Sequence, residues 1–403
     1  MTEETQRWRA ETRLLFRSAL AVFTVTVLIG MFNSFHVITL SRDVLLTHVH
    51  SGTLGFITLT AFGAAMWLYG SAGGTLDGHA RGVTMGAVIC IPLYVVAFLS
   101  GVFALKAAAG TLVLALIVGY VVLLLRNVGG AGWSVPRLGV LLSFTVLIIG
   151  STLGVLIQVQ GTTGTKFLPG DPVGGHASAQ VGGYLVLFAL SVIEWRLRGN
   201  DGFGWGGRLQ AIFLFLGGVL LAIGVLYNVQ PLLGIFIPLD LIALVIFLVR
   251  VGRPIIGARW LEADSSRHYA IGVPWIAVNL GLTISVVVVA ISKGFDHVDF
   301  NILIAADHAI FLGVMANVGF GLMHDFVGRS TVLPWAEHVI FWGLNVALVG
   351  FVVSLVTHAQ WAEKFFAPVQ GIALVVGIIA FSIRLSTPDS SSAPPAVASA
   401  APA

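Results

Sequence analysis

Residues 44–70 read VLLTHVHSGTLGFITLTAFGAAMWLYG, with two histidines near the start and no Lys, Arg, Asp or Glu. A helix needs about 20 apolar residues to cross a bilayer, so this stretch suffices. A helix apolar on every side belongs in a membrane or deep inside a large protein. Reading outward, stretches of the same kind, bounded by charge or by Gly, Pro and Asn, fall at 18–40, 44–70, 81–105, 107–125, 137–158, 176–195, 208–228, 231–249, 269–292, 302–323, 333–356 and 365–385. They predict an all-α polytopic membrane protein with twelve transmembrane helices in one domain, residues 1–386, and a disordered Pro/Ala/Ser tail at 387–403. Of the 403 residues 57% are apolar and 10% charged, whereas a soluble domain is about a quarter charged. An ordinary globular enzyme is thereby excluded. A net charge of +3 is too small for a nucleic-acid surface. The lone Cys90, inside an apolar run, excludes disulfides and thiolate metal sites.

Basic residues set the expected orientation, because Lys and Arg are retained in cytoplasmic loops. With the N-terminus inside, 16 of the 21 Lys and Arg residues fall on inner segments, and only Arg42, Lys106, Lys166, Lys293 and Lys364 fall outside. This predicts a multi-pass protein of the cytoplasmic (inner) membrane with both termini in the cytoplasm. No cleavable leader is expected. The longest outer loop, residues 159–175, is rich in Gly and Thr and reads as a flexible connection.

Eleven histidines in a chain so poor in charge are the chemical signal, since ionisable groups inside a membrane are costly and mark function. His79, His268 and His324 fall at inner ends, and His297 and His358 beside outer loops, where interfacial placement explains them. His338 lies near the inner end of the eleventh span. The remaining five, His36, His48, His50, His176 and His308, fall on four distant spans at one level of the outer leaflet. Imidazoles at one depth on separate helices are what bis-histidine haem ligation requires. Two residues apart on a helix, His48 and His50 project about 200° apart, so they serve different partners. The glycines around them (Gly52, Gly55, Gly63, Gly182, Gly183, Gly313, Gly319 and Gly321) allow close helix approach or leave room for a flat macrocycle.

The segment THVHSGTLGFITL (47–59) resembles the His-x-His-x-x-x-x-Gly-Phe helix of the NnrS family and of divergent subunit I relatives in the haem-copper oxidase superfamily, particularly the cytochrome cbb type. The tenth span and its exit, DHAIFLGVMANVGFGLMHDFVGR (307–329), is similar to a second helix of those proteins, and GHASAQVGGYLVLFAL (175–190) is similar more loosely. The resemblance implies an oxidase-like bundle with a haem b whose axial ligands are His48 or His50 together with His308. It places His176 like a copper ligand, with His36 at the same level. Respiratory electron transfer or nitric oxide chemistry is implied, with a quinol or extracytoplasmic electron donor, or a diatomic gas, as partner. Ala306 stands where those oxidases carry a second histidine, the seventh span has none, and Gln180 replaces a tyrosine. An incomplete copper site is the expectation.

Other polar residues have local readings. Asp240, after Pro238, reads as a proton-pathway element or a hydrogen-bonded acid, and Glu194 as a surface ion pair with Arg196 or Arg198. Asp307 adjoins His308. Asn279, Asn317 and Asn345 read as interhelical hydrogen bonders. A rival architecture is a secondary transporter of the major facilitator type, echoed in GGTLDGHARG (73–82) and GLMHDFVGRS (321–330). Such a transporter gathers polar residues near the midplane, not in the outer third. A non-catalytic assembly subunit is the third reading.

Overall fold

The computed structural model describes residues 7–35, 37, 39–70, 76–200, 202–328 and 330–387. Most of the expected tail lies outside them, as does His36. Among the described residues there is no strand, and twelve helices are long and apolar enough to cross a membrane. They are α1 (Arg9–Ser34), α2 (Arg42–Tyr69), α3 (Asp77–Leu99), α4 (Phe103–Val128), α5 (Val135–Thr163), α6 (Pro172–Arg198), α7 (Trp205–Tyr227), α8 (Gln230–Ile256), α9 (Ser265–Lys293), α10 (Phe300–Val327), α11 (Ala336–Val356) and α12 (Gln360–Ser386).

Every expected span has its helix, and the edges differ for local reasons. α1 begins two turns earlier than its apolar run, because its arginines find partners: Arg9 donates to the Phe326 carbonyl (3.1 Å) and Arg13 to that of Thr387 (2.9 Å). α3 stops at Leu99 because the chain turns at Gly101, whose φ of +72° suits glycine. Lys106, expected in a loop, therefore sits on α4. The loop expected over 159–175 is shorter and ordered. α5 runs on to Thr163, Gln160 Oε1 accepts the amides of Phe167 and Leu168 (both 3.0 Å), and the Asp171 amide donates to the Leu226 carbonyl (3.0 Å).

Consecutive helices pack side by side, and α12 closes the bundle against α1. Every fourth helix, α2, α6 and α10, lies innermost: 78%, 67% and 61% of their most apolar windows are buried, against 33–56% for the other nine. These three touch one another. A widened, π-helical stretch of α2 (Ser51–Thr58) packs on one of α10 (Ala309–Ala316), α6 packs on α10, and Tyr184 of α6 reaches Thr58 of α2 (3.5 Å). Thus the expected histidine helices form the hub.

Small residues permit this density. A Cβ on Gly218 of α7 would lie 2.3 Å from the Cα of Gly183 on α6, and one on Gly55 would lie 2.2 Å from Val22. The glycines singled out in the sequence thus serve helix contact rather than open space. Gly218→Val is expected to force backbone apart and cost about 3 kcal/mol or more, read as a lowered melting temperature. Gly281→Ala, whose Cβ would meet nothing within 4 Å, is the near-neutral control.

Candidate functional site

Four of the five singled-out histidines lie on the hub, and the bundle sorts them into two pairs. His48 of α2 and His308 of α10 shortly precede the π-helical stretches through which those two helices pack, and His50 of α2 and His176 of α6 line one cavity. The helical twist separates the two α2 rings as expected. His48 turns to α1, where its Nδ1 meets the Thr26 carbonyl at 2.9 Å and its ring lies beside Gly30. His50 turns to α3, where its ring stacks on Phe98 (3.8 Å between centroids, 21° between planes) with Tyr94 edge-on.

All four rings share one hydrogen-bonding arrangement. Nδ1 of His48, His50, His176 and His308 meets the backbone carbonyl of Thr26 (2.9 Å), Leu46 (2.7 Å), Gly150 (2.7 Å) and Ile304 (2.8 Å) respectively. A carbonyl only accepts, so Nδ1 is the protonated nitrogen, and the neutral ring carries its lone pair on Nε2. Among the described residues nothing is bonded to any of these Nε2 atoms. Anchoring the far ring nitrogen is how proteins orient metal-binding imidazoles. The four rings are partly exposed, and those of His50 and His176 border one cavity.

The backbone is unusual at the same places. π-helical stretches begin at Ser51, Ala179 and Ala309, one to three residues beyond His50, His176 and His308, and a fourth at Val339 follows His338. Such insertions are rare and concentrate at functional sites. Each widens the turn after its histidine and shifts the helix face that follows. The glycine spacing accompanies them: Gly55, Gly313 and Gly343 each stand five residues after a histidine.

Glycine also seats the second pair. A Cβ on Gly154 of α5 would lie 2.9 Å from Cε1 of His176, and one on Gly150 would lie 2.5 Å from Gln180 Nε2. Gly154→Ala is therefore expected to displace the His176 ring and lengthen its bond to Gly150, with little loss of fold. Histidine side-chain NMR shifts that stay unchanged in this variant would refute that seating.

Several residues stand differently from expectation. Glu194 is not at the surface: it is 2% exposed, and its carboxylate pairs with Arg250 of α8, which also holds Gln210 (2.7 Å). Arg196 instead binds Asp325 (2.6 Å), which also accepts from Tyr269 (2.8 Å) and from Ser265. His268 and His324 are buried rather than interfacial. His268 Nδ1 meets Asn317 Oδ1 (3.1 Å), and Asn317 exchanges bonds with Asn345 (3.1 Å each way). Asn279 donates to the Ala306 carbonyl (2.9 Å), so all three asparagines do join helices. Asp307 makes no bond to the His308 ring. Asp240 is 3% exposed, one of its oxygens has no partner among the described residues, and a void of about 10 Å³ adjoins it.

Among the described residues no three His, Cys, Asp or Glu side chains gather to hold a metal ion. The aromatic and basic lining around His50 and His176, including Tyr94, Phe98 and Lys106, carries no motif in the sequence. Its one signal is that Arg42 and Lys106 are two of the few bases at that end. The sequence matches no family model, and no curated protein matches it.

Proposed function

We propose that the protein is a membrane haem protein in which His48 and His308 hold one haem b, as the resemblance to NnrS and haem-copper oxidase subunit I implies. One observation carries this reading: two imidazoles on central helices that pack on each other, each anchored through Nδ1 and with nothing bonded at Nε2 among the described residues. A zinc site draws three or four ligands from the protein, but a porphyrin supplies four nitrogens itself and asks for two. The donor set therefore fits haem better than a bare ion. Bound there, haem supplies reversible one-electron chemistry.

His48 and His308 would hold the haem between them, which favours electron transfer over capture of nitric oxide or another diatomic gas. The inner-membrane placement, with this pair toward the outer face, rests on the arginine distribution. His176 stands with His50 rather than with further ligands, so a copper centre gains no support. The transporter reading has Asp240 in its favour, but the void beside that residue is the size of about one water.

Haemin titrated into protein in lipid nanodiscs is expected to saturate near one equivalent, with a sharp Soret band and a b-type pyridine haemochrome. Featureless, unsaturable uptake would refute the reading.

A further inference from the structure

The second histidine pair lines a cavity of about 260 Å³ between α2, α3, α4, α5 and α6. The whole lining lies in the half of the bundle where α2, α4 and α6 begin and α3 and α5 stop. Its exposed members, Arg42, Phe103 and Val173, are each the first or second residue of a helix, so the mouth is at the aqueous end of the bundle. At 1.5 Å per residue, His50 and His176 lie roughly 12 and 6 Å inward from the starts of their helices.

The polar groups on this wall are left with unmet demands. Nδ1 of His50 and of His176 is committed to a carbonyl, and neither Nε2 has a partner among the described residues or is buried. Lys106, 2% exposed, pairs with Asp43 (2.8 Å), the one carboxylate on the wall. That leaves Arg42 as the lining charge with no partner among the described residues. Nothing local calls for a base there: the first turn of a helix disfavours a cation, and this is the end of the bundle with few bases.

We infer that this cavity binds a water-borne aromatic carboxylate bearing hydroxyl groups, with Arg42 holding the carboxylate and the hydroxyls donating to His50 and His176. Arg42, Lys106 and Asp43 together leave one positive charge on the wall, which a monoanion balances. Neutral imidazoles with Nδ1 already committed offer only an acceptor, so they select a ligand that donates. Tyr94, Phe98 and Phe103 supply flat apolar walls for a ring. The volume falls just below the range of roughly 300–1,000 Å³ typical of drug-sized ligands, which suits one substituted ring and not a macrocycle. A metal ion fits less well, because Asp43 is already held by Lys106.

The test is calorimetric titration of the full chain in lipid nanodiscs with four probes. They are benzoate with hydroxyls at both meta positions, benzoate with one such hydroxyl, benzoate itself, and resorcinol, which keeps the hydroxyls and lacks the carboxylate. Neither probes nor readout involve haem, and neither histidine is its proposed ligand, so this inference and the haem reading fail separately. The dihydroxy acid is expected to bind saturably at one equivalent. Each hydroxyl removed, or the carboxylate removed, is expected to weaken binding about tenfold. Arg42→Gln is expected to weaken the dihydroxy acid about tenfold and leave resorcinol unchanged, at an unchanged melting temperature. His50→Ala combined with His176→Ala is expected to make the three acids bind alike. The probe series on the unaltered chain decides the matter even if the histidine variant folds poorly. Three results would overturn the proposal: no saturable binding of the dihydroxy acid, benzoate or resorcinol binding as tightly, or an affinity that Arg42→Gln leaves unchanged.

Discussion

Purified His308→Ala is expected to contain essentially no haem, and His48→Ala the same, while His50→Ala keeps the full wild-type complement. Even outer partners of a metal ligand change affinity by about 10–100-fold, so deleting an axial imidazole should exceed that range. The contrast within α2 gives the prediction its discriminating power. His48 and His50 are two residues apart and similarly buried, and both are anchored to carbonyls. Only the direction of projection separates them, His48 toward α1, His50 toward α3 and the cavity it shares with α6. Haem lost from His50→Ala and retained in His48→Ala would assign the ligand to the other face of α2. Melting temperatures without added haem should be alike in all three variants, which separates ligand loss from misfolding.

The second large effect is structural. Glu337 at the start of α11 pairs with Arg384 near the end of α12; the two side chains are 5% and 2% exposed. Arg384 also donates to the carbonyls of Val332 (3.1 and 2.9 Å) and Leu333 (3.0 Å), and the Glu337 carbonyl accepts from Arg267 (2.7 Å). Glu337→Ala would leave a guanidinium buried with no counter-charge, at a cost of about 3–5 kcal/mol. The expected result is a melting temperature lower by several degrees and a poor yield of folded protein. Glu337→Leu combined with Arg384→Met should recover most of the loss, because removing both charges also removes their desolvation cost. A double variant no better than the single one would mean that the carbonyl contacts, not the ion pair, hold this end together.

The membrane architecture was legible because the bilayer imposes one requirement on every span, and residues such as 44–70 meet it visibly. Helix ends were less legible. The turn at Gly101 and the arginines that extend α1 act through backbone geometry and distant partners, and hydropathy registers neither. The divergence of His48 and His50 followed from helix geometry alone. That His50 shares a cavity with His176 did not, because it depends on which helices reach the hub. Sequence adjacency misassigned Glu194 to Arg196 and Arg198, whereas its partner, Arg250, lies on another helix. The spacing of a histidine five residues before glycine, at His50, His308 and His338, was present in the chain, and each of those histidines precedes a π-helical stretch.

The central claim is that His48 and His308 are the two axial ligands of one haem. Near-infrared magnetic circular dichroism of the ferric protein tests it most directly, since the low-spin charge-transfer band reports the axial ligand pair. A bis-imidazole band in the wild type, absent from His48→Ala and His308→Ala, is predicted. A high-spin or histidine–methionine signature, or a bis-imidazole band that survives in either variant, would contradict it.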